Sequence, residues 1–298
     1  MIGRKIIFGW AVLVLVGCQS APPSPFTDDT LTQGDILVLA DEDFRIILEA
    51  QRTVFEHIYP NAHIRIRFLP ESELLKQVVN DSVRVVFATC KPGGEQSAYY
   101  RSRNLSVSMV PILTDGIAVF TAPGAGCVGR STQELKARLS AQEGSPVLFD
   151  GTGTGVVRML VDSLFAGDAS AMRRAAALEG TDSLLTAVAQ NPVAMGMISF
   201  ARLSDLDDPA CRAIRERLSL CALSGPNSVG PQLPNQGTLA DKTYPLRRTL
   251  YAWAMEGKSG LGTGFVSFVA GHKGQRIILK SGLAPQIVPA RDVMIVHP

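Results

Sequence analysis

Metal-ligand spacing is missing from this sequence. It has no C-x-x-C and no H-E-x-x-H, and His57, His63, His272 and His297 are scattered along the chain, so a metalloenzyme is disfavoured. The G-x-S-x-G nucleophile elbow is also missing, and no histidine accompanies a serine or cysteine motif, which leaves a hydrolase triad without parts. Cys90 alone is worth testing as a nucleophile, and a core or disulfide cysteine is the simpler reading. Charge of one sign is scarce: Lys+Arg 29 against Asp+Glu 27 gives a formal net charge of +2, too little to hold nucleic acid or an anionic membrane surface. The N-terminal apolar run, Ile6 to Val16, is too short to span a bilayer as a helix. Repeats at solenoid spacing are absent as well.

What is present is 298 residues, 46% hydrophobic and 19% charged, suited to two packed α/β units. Arg4 and Lys5 precede the apolar run, which ends in Leu15-Val16-Gly17-Cys18. This order resembles the bacterial lipobox, so residues 1–17 are expected to be a lipoprotein signal peptide and Cys18 the lipidated residue. Removing Arg4 and Lys5 leaves 27 basic against 27 acidic residues, a formally neutral mature protein. Residues 18–34, with three prolines and several Ser and Thr, read as a flexible tether. The expected place is the bacterial cell envelope, facing the periplasm or the exterior, with the membrane reached through the lipid anchor only. Cys90, Cys127, Cys211 and Cys221 remain in a compartment where disulfides are permitted. Three pairings are open. Cys211 with Cys221 is the most local, and buried unpaired thiols are the alternative.

From Asp35 the pattern alternates between strand and helix. Ile36 to Leu39 is a continuous apolar run of the kind buried on both faces, and Phe44, Ile47, Leu48, Phe55 and Ile58 then share a helical face, with Asp43 as the expected N-cap. Ile64, Ile66 and Phe68 alternate as a strand, a short helix carries Leu74, Leu75, Val78 and Val79, and a strand follows over Val83 to Ala88. Right-handed crossovers make a parallel sheet the expected product. Two strands, Val107 to Leu113 and Gly116 to Thr121, are expected around a turn at Thr114-Asp115. Ser131-x-x-Glu134 is a capping box, and further helices and strands continue to Lys280, interrupted by a loop-like stretch over 225–243.

The sharpest local motif is Asp150-Gly151-Thr152-Gly153-Thr154-Gly155, between a strand and a helix. Glycines let the backbone approach a ligand, the helix start leaves N–H groups unpaired, and the threonines add hydroxyls. The loop lacks the dinucleotide spacing G-x-G-x-x-G and the Lys-Ser/Thr of a P-loop, so no nucleotide cofactor is expected. Its bland reading is a helix cap with no ligand.

The wider chain resembles the PstS-like phosphate-binding proteins of ABC importers. The resemblance is carried by YPNAHIRI, TDGIAVF at 114–120, DGTGTG, NPVAMGMISF at 191–200, YPLRRTLYAW at 244–253 and GTGFVSFVAGHKGQRIILKSGLAP at 262–285. It implies an α/β, type II periplasmic-binding-protein fold, two α/β lobes joined by two crossing strands around a cleft. Lobe 1 would be 35–121 and 248–298, lobe 2 122–247. It further implies a non-enzymatic function: binding of a small oxyanion, phosphate first, and delivery to an ABC permease. The ligand residues implied are Thr152, Gly153, Thr154, Ser72, Thr89 and Phe44, with Asp43 standing where the family has threonine. Two positions depart from the pattern. Leu148 stands in place of the arginine before the loop, and Cys90 in place of the aspartate after the third strand. Asp41, Glu42, Asp43, Glu71 and Glu73 gather where donors are wanted, and a carboxylate beside a dianion costs several kcal/mol at an effective dielectric of about 20. Lys91 and Arg158 are candidate compensating charges. The alternative is an interaction or sensor lipoprotein that keeps the fold without a ligand.

Overall fold

A computed structural model describes residues 29–288, apart from 80–82, 106, 128–130, 227 and 258. Cys18 and the signal peptide lie outside the described residues. The chain begins β1 (Gly34–Asp41), α1 (Arg45–Ile58), β2 (Ala62–Leu69), α2 (Glu71–Gln77), β3 (Val83–Ala88) and α3 (Gly94–Ser102). β1 pairs in parallel with both β2 and β3. Its neighbours Val38 and Leu39 enter different apolar clusters, so the strand is buried on both faces as its continuous apolar run requires. The helix following it is capped differently from the sequence expectation. Asp43 does not cap it: Asp41 caps a 3-10 turn over Glu42–Phe44, its Oδ1 accepting from Asp43 N at 3.1 Å, Asp43 is turned inward within that turn, and α1 starts after Phe44 without a side-chain cap.

The next strand, β4 (Ser108–Thr121), is one 14-residue strand rather than two around a turn. Asp115 explains the continuity. It is fully buried inside the strand and accepts from Ser199 Oγ at 2.8 Å and Ala201 N at 2.9 Å, so the Thr114-Asp115 pair extends where a turn was expected. The chain continues as α4 (Thr132–Ser140), β5 (Val147–Phe149), α5 (Gly155–Phe165), β6 (Ala175–Ala177), α6 (Gly180–Gln190), β7 (Met195–Ser199), α7 (Pro209–Arg215), β8 (Ser219–Leu220), α8 (Gln236–Ala240), β9 (Arg247–Ala254), α9 (Leu261–Ala270), α10 (His272–Lys280) and β10 (Ala284–Pro285). The helix α3, the short α8 within 225–243 and the short strands β6 and β10 are additions to the sequence reading.

Strand order is β2-β1-β3-β9-β4-β7-β5-β6. β9 runs antiparallel to both β3 and β4. Residues Ser108 to Gly116 of β4 pair with β9, whereas Ile117 to Phe120 pair with β7. β4 thus passes from a first sheet (β2, β1, β3, β9) into a second (β7, β5, β6), and Ile117 N donates to Leu246 O at 2.8 Å where the chain returns to begin β9.

The C-terminal helices close the first sheet. Phe265 and Phe268 of α9 meet Phe55 of α1 edge-on at centroid separations of 5.4 and 5.3 Å. The fully buried rings of Phe55 and Phe265 each contribute roughly 1.5–3 kcal/mol through burial. The disulfide joins Cys127 to Cys221, with Cα atoms 5.6 Å apart. Of the pairings left open by the sequence, this one excludes the most local, Cys211–Cys221. β8 runs beside the end of β4, with Phe120 opposite Leu220, and brings Cys221 to the segment leaving β4. Cys211 sits fully buried on α7 as a free thiol. Among the described residues no helix is long and apolar enough to cross a membrane.

Candidate functional site

The DGTGTG loop connects β5 to α5, and Thr154 caps the helix through Oγ1, which accepts from Val157 N at 3.4 Å. An α-helix leaves its first N–H groups without intrahelical acceptors, so this end of the 11-residue α5 faces the first-sheet side as a donor surface. That side comes very close. Ser72 N donates to Gly153 O at 2.9 Å, and a Cβ on Gly153 would stand 2.0 Å from Ser72 Oγ and 3.0 Å from its Cβ, so any side chain there requires Ser72 to move. A Cβ on Gly155 would lie 2.7 Å from Arg248 Nη1, 2.9 Å from Asp41 Oδ2 and 2.9 Å from Thr89 Oγ1. Three polar groups from three strand ends thus converge on the helix start.

Thr152, Gly153, Thr154 and Ser72 line one open cavity of about 550 Å³, together with Glu42, Glu73, Asp150 and Arg202. The remaining expected residues lie deeper. Thr89 is held by Glu71, its N and Oγ1 donating to Oε2 at 2.9 and 2.6 Å. Phe44 is fully buried with its ring 5.2 Å from the Arg248 guanidinium, a support beneath that cation. Asp43 is buried between two arginines: Arg202 Nε donates to Oδ1 and Arg248 Nη2 to Oδ2, each at 2.7 Å. Arg248 also donates from Nε to Asp115 Oδ2 at 2.9 Å. Its Nη1 and the facing Asp41 Oδ2 are buried and have no hydrogen-bond partner among the described residues.

These contacts decide the charge states. Burial acts to raise the Asp43 carboxyl, but Arg202 and Arg248 outweigh it and hold the group below the usual carboxylate range. Glu71 follows the same logic with Arg158, whose Nε donates to Glu71 Oε1 and whose Nη2 donates to Thr89 Oγ1 at 2.9 Å. Asp41 has no such donors, and burial, then the Asp43 charge, pushes it well above its ordinary value. Asp150 is pushed up to about 6 by burial and by Asp43, with Arg202 Nε 3.6 Å from Oδ2. Burial, reinforced by the Glu71 charge, pushes the Cys90 thiol up to about 12, the opposite of an activated nucleophile.

Arg202 and Arg248 are the site residues that sequence reasoning missed. Leu148, standing where a cation was expected, is a core residue of β5, and the cations arrive from other strands. A signal for Arg248 existed, because in β9 it alternates with Leu250 and Ala252 on the buried face. Arg202, in a 3-10 turn after β7, carried none. Of the two compensating charges considered, Arg158 faces the site and Lys91 is exposed.

A family model described as a PBP superfamily domain matches residues 27–273. Among solved structures, a substrate-binding protein from Clostridium perfringens with bound phosphate is similar at 17% identity and a TM-score of 0.67, covering 85% of this chain and 99% of its own. An ABC-type phosphate transport receptor from Vibrio cholerae is similar at 12% identity and a TM-score of 0.63, covering 85% and 100%. The periplasmic molybdate-binding protein of Azotobacter vinelandii is similar at 14% identity and a TM-score of 0.51, covering 86% and 100%. At these identities the likeness is one of fold. No curated protein matches the chain by sequence.

Proposed function

The chain belongs to the PBP superfamily, and from that premise we propose that it is an extracytoplasmic solute-binding lipoprotein of an ABC importer, lipidated at Cys18, that takes phosphate or a similar oxyanion between lobes 35–121 with 248–298 and 122–247. The observation that carries the reading is the convergence of Arg248 Nη1, Thr89 Oγ1 and Asp41 Oδ2 within 3 Å of one point at the start of α5. A buried guanidinium N–H and the helix's first amides are donors for an oxyanion. Asp41, whose carboxyl is pushed well above its ordinary value by burial and then by the Asp43 charge, is the carboxyl at this point least disposed to repel an anion. Ser72, Thr152 and Thr154 stand at the cleft mouth, and closure onto a permease follows from a ligand that shifts an open–closed equilibrium. Isothermal titration of residues 18–298 with phosphate, sulfate and molybdate tests it. Saturable binding of at least one supports the reading, and no heat with any of them sinks it.

A second reading has its own support. Ser72 N to Gly153 O, Asp43 to Arg202 and Glu71 to Arg158 join the two sides of the cleft through the protein's own groups. A chain that closes on itself in this way suits an interaction or sensor lipoprotein whose closed form does not depend on a solute. Small-angle scattering separates the two readings, since a change in radius of gyration on adding phosphate belongs to the transport reading alone.

A further inference from the structure

We propose that Asp43 is a tethered occupant of the anion seat, a carboxylate standing between Arg202 and Arg248 where a free oxyanion would otherwise stand, and that it sets how much added negative charge the cleft accepts. The proposal rests on the anion-binding reading and deepens it by assigning a residue that governs affinity.

The geometry is that of a bound anion. Both Asp43 oxygens are engaged, one by Arg202 Nε and the other by Arg248 Nη2, each at 2.7 Å, and the side chain is fully buried. The two arginines come from separate elements, one after β7 and the other in β9, and Asp43 is the carboxylate that bridges them. Arg248 has its second carboxylate in Asp115, and Arg202 has further carboxylates near it in Asp150 and Glu42 at 3.6 and 3.8 Å. Arg158 in turn is neutralised by Glu71 and Asp162. Each cation of the cleft therefore meets at least one carboxylate before any solute enters. An oxyanion approaching the start of α5 finds Nη1 of Arg248, which has no partner among the described residues, and a field already cancelled. Doubly charged ions are the most disfavoured under such conditions.

Asp43→Asn keeps the shape and one of the two hydrogen-bond acceptors while removing the charge. Asp168→Asn, beyond the far end of α5 and so about 16 Å of helix away, controls for net charge. Isothermal titration with phosphate and with sulfate is expected to show affinity rising at least about tenfold in Asp43→Asn for both ions, more for sulfate, with Asp168→Asn unchanged. Thermal melts cover the case in which the uncompensated arginines weaken the fold. Phosphate or sulfate is then expected to raise the melting temperature of Asp43→Asn by more than that of wild type. Unchanged or weaker affinity in a folded Asp43→Asn, or a destabilised Asp43→Asn that neither ion restores, overturns the proposal. The outcomes also separate it from the functional reading. Oxyanion binding by Asp43→Asn but not by wild type removes the transport reading and keeps Asp43 as occupant, whereas equally tight binding by both does the reverse.

Discussion

The backbone N–H of Ser72 donates to the carbonyl of Gly153 across 2.9 Å, a contact that ties the segment after β2 to the loop before α5. It exists because position 153 has no side chain, since a Cβ there would meet Ser72 Oγ at 2.0 Å. The cleft closes by backbone against backbone at this point, and ion pairs flank it.

Gly153→Ala pushes the two sides apart. A steric conflict at a packed contact costs typically about 1–3 kcal/mol, so the variant is expected to melt earlier and to show a larger radius of gyration in small-angle scattering. An unchanged radius together with unchanged oxyanion affinity would mean that the contact does not hold the cleft.

Arg248→Met leaves the buried carboxylates Asp43 and Asp115 without their shared cation. Breaking a buried pair by removing one partner costs about 3–5 kcal/mol, and urea unfolding of the variant is expected to show a loss of that order. The surface pair Arg65 with Asp35, both largely exposed, supplies the contrast. Arg65→Met is expected to change stability by less than about 1 kcal/mol.

Asp150 gives the protein a pH signature of definite sign. Burial and the Asp43 charge raise its folded value to about 6 from an ordinary 3.8, so the folded state binds the extra proton and stability from this group is complete below 3.8 and lost as pH rises through about 6. Asp150→Asn lacks this loss. Denaturation across that interval is expected to show the variant gaining on wild type by up to about 3 kcal/mol as pH rises. A difference that does not change with pH would place Asp150 in an ordinary carboxylate environment.

The Cys127–Cys221 bridge closes a sequence separation of 94 residues. Disulfides contribute typically about 2–4 kcal/mol, toward the upper end for long loops. Cys221→Ser is expected to lower the melting temperature, and reductant to lower that of wild type but not of the variant. Identical responses to reductant would contradict the bridge.

Much of the fold was legible because its signals are local. The both-faces-buried β1, the amphipathic α1 and the loop-to-helix junction at Asp150 to Gly155 each follow from a short pattern of apolar, polar and glycine residues. The misread features depend on distant partners. Thr114-Asp115 reads as a turn until Ser199, Ala201 N and Arg248 are seen to satisfy the Asp115 carboxylate. Cys221 pairs with Cys127 because β8 lies along β4, a neighbour far away in sequence. The cleft cations were only partly legible for the same reason: Arg158 stood out as a candidate and Arg248 sits in the β9 alternation, but Leu148 marked where a cation was lacking, and only the packing of β7 and β9 brings Arg202 and Arg248 to the seat.

The most direct test of the anion seat is a calorimetric titration of residues 18–298 with phosphate, run in parallel on wild type and Thr154→Val, which removes the hydroxyl capping α5 at the cleft. The account predicts saturable binding to wild type that weakens by roughly tenfold in the variant, the effect of losing about one hydrogen bond to a charged group. Equal affinity in the two proteins, or no heat from either, would contradict it.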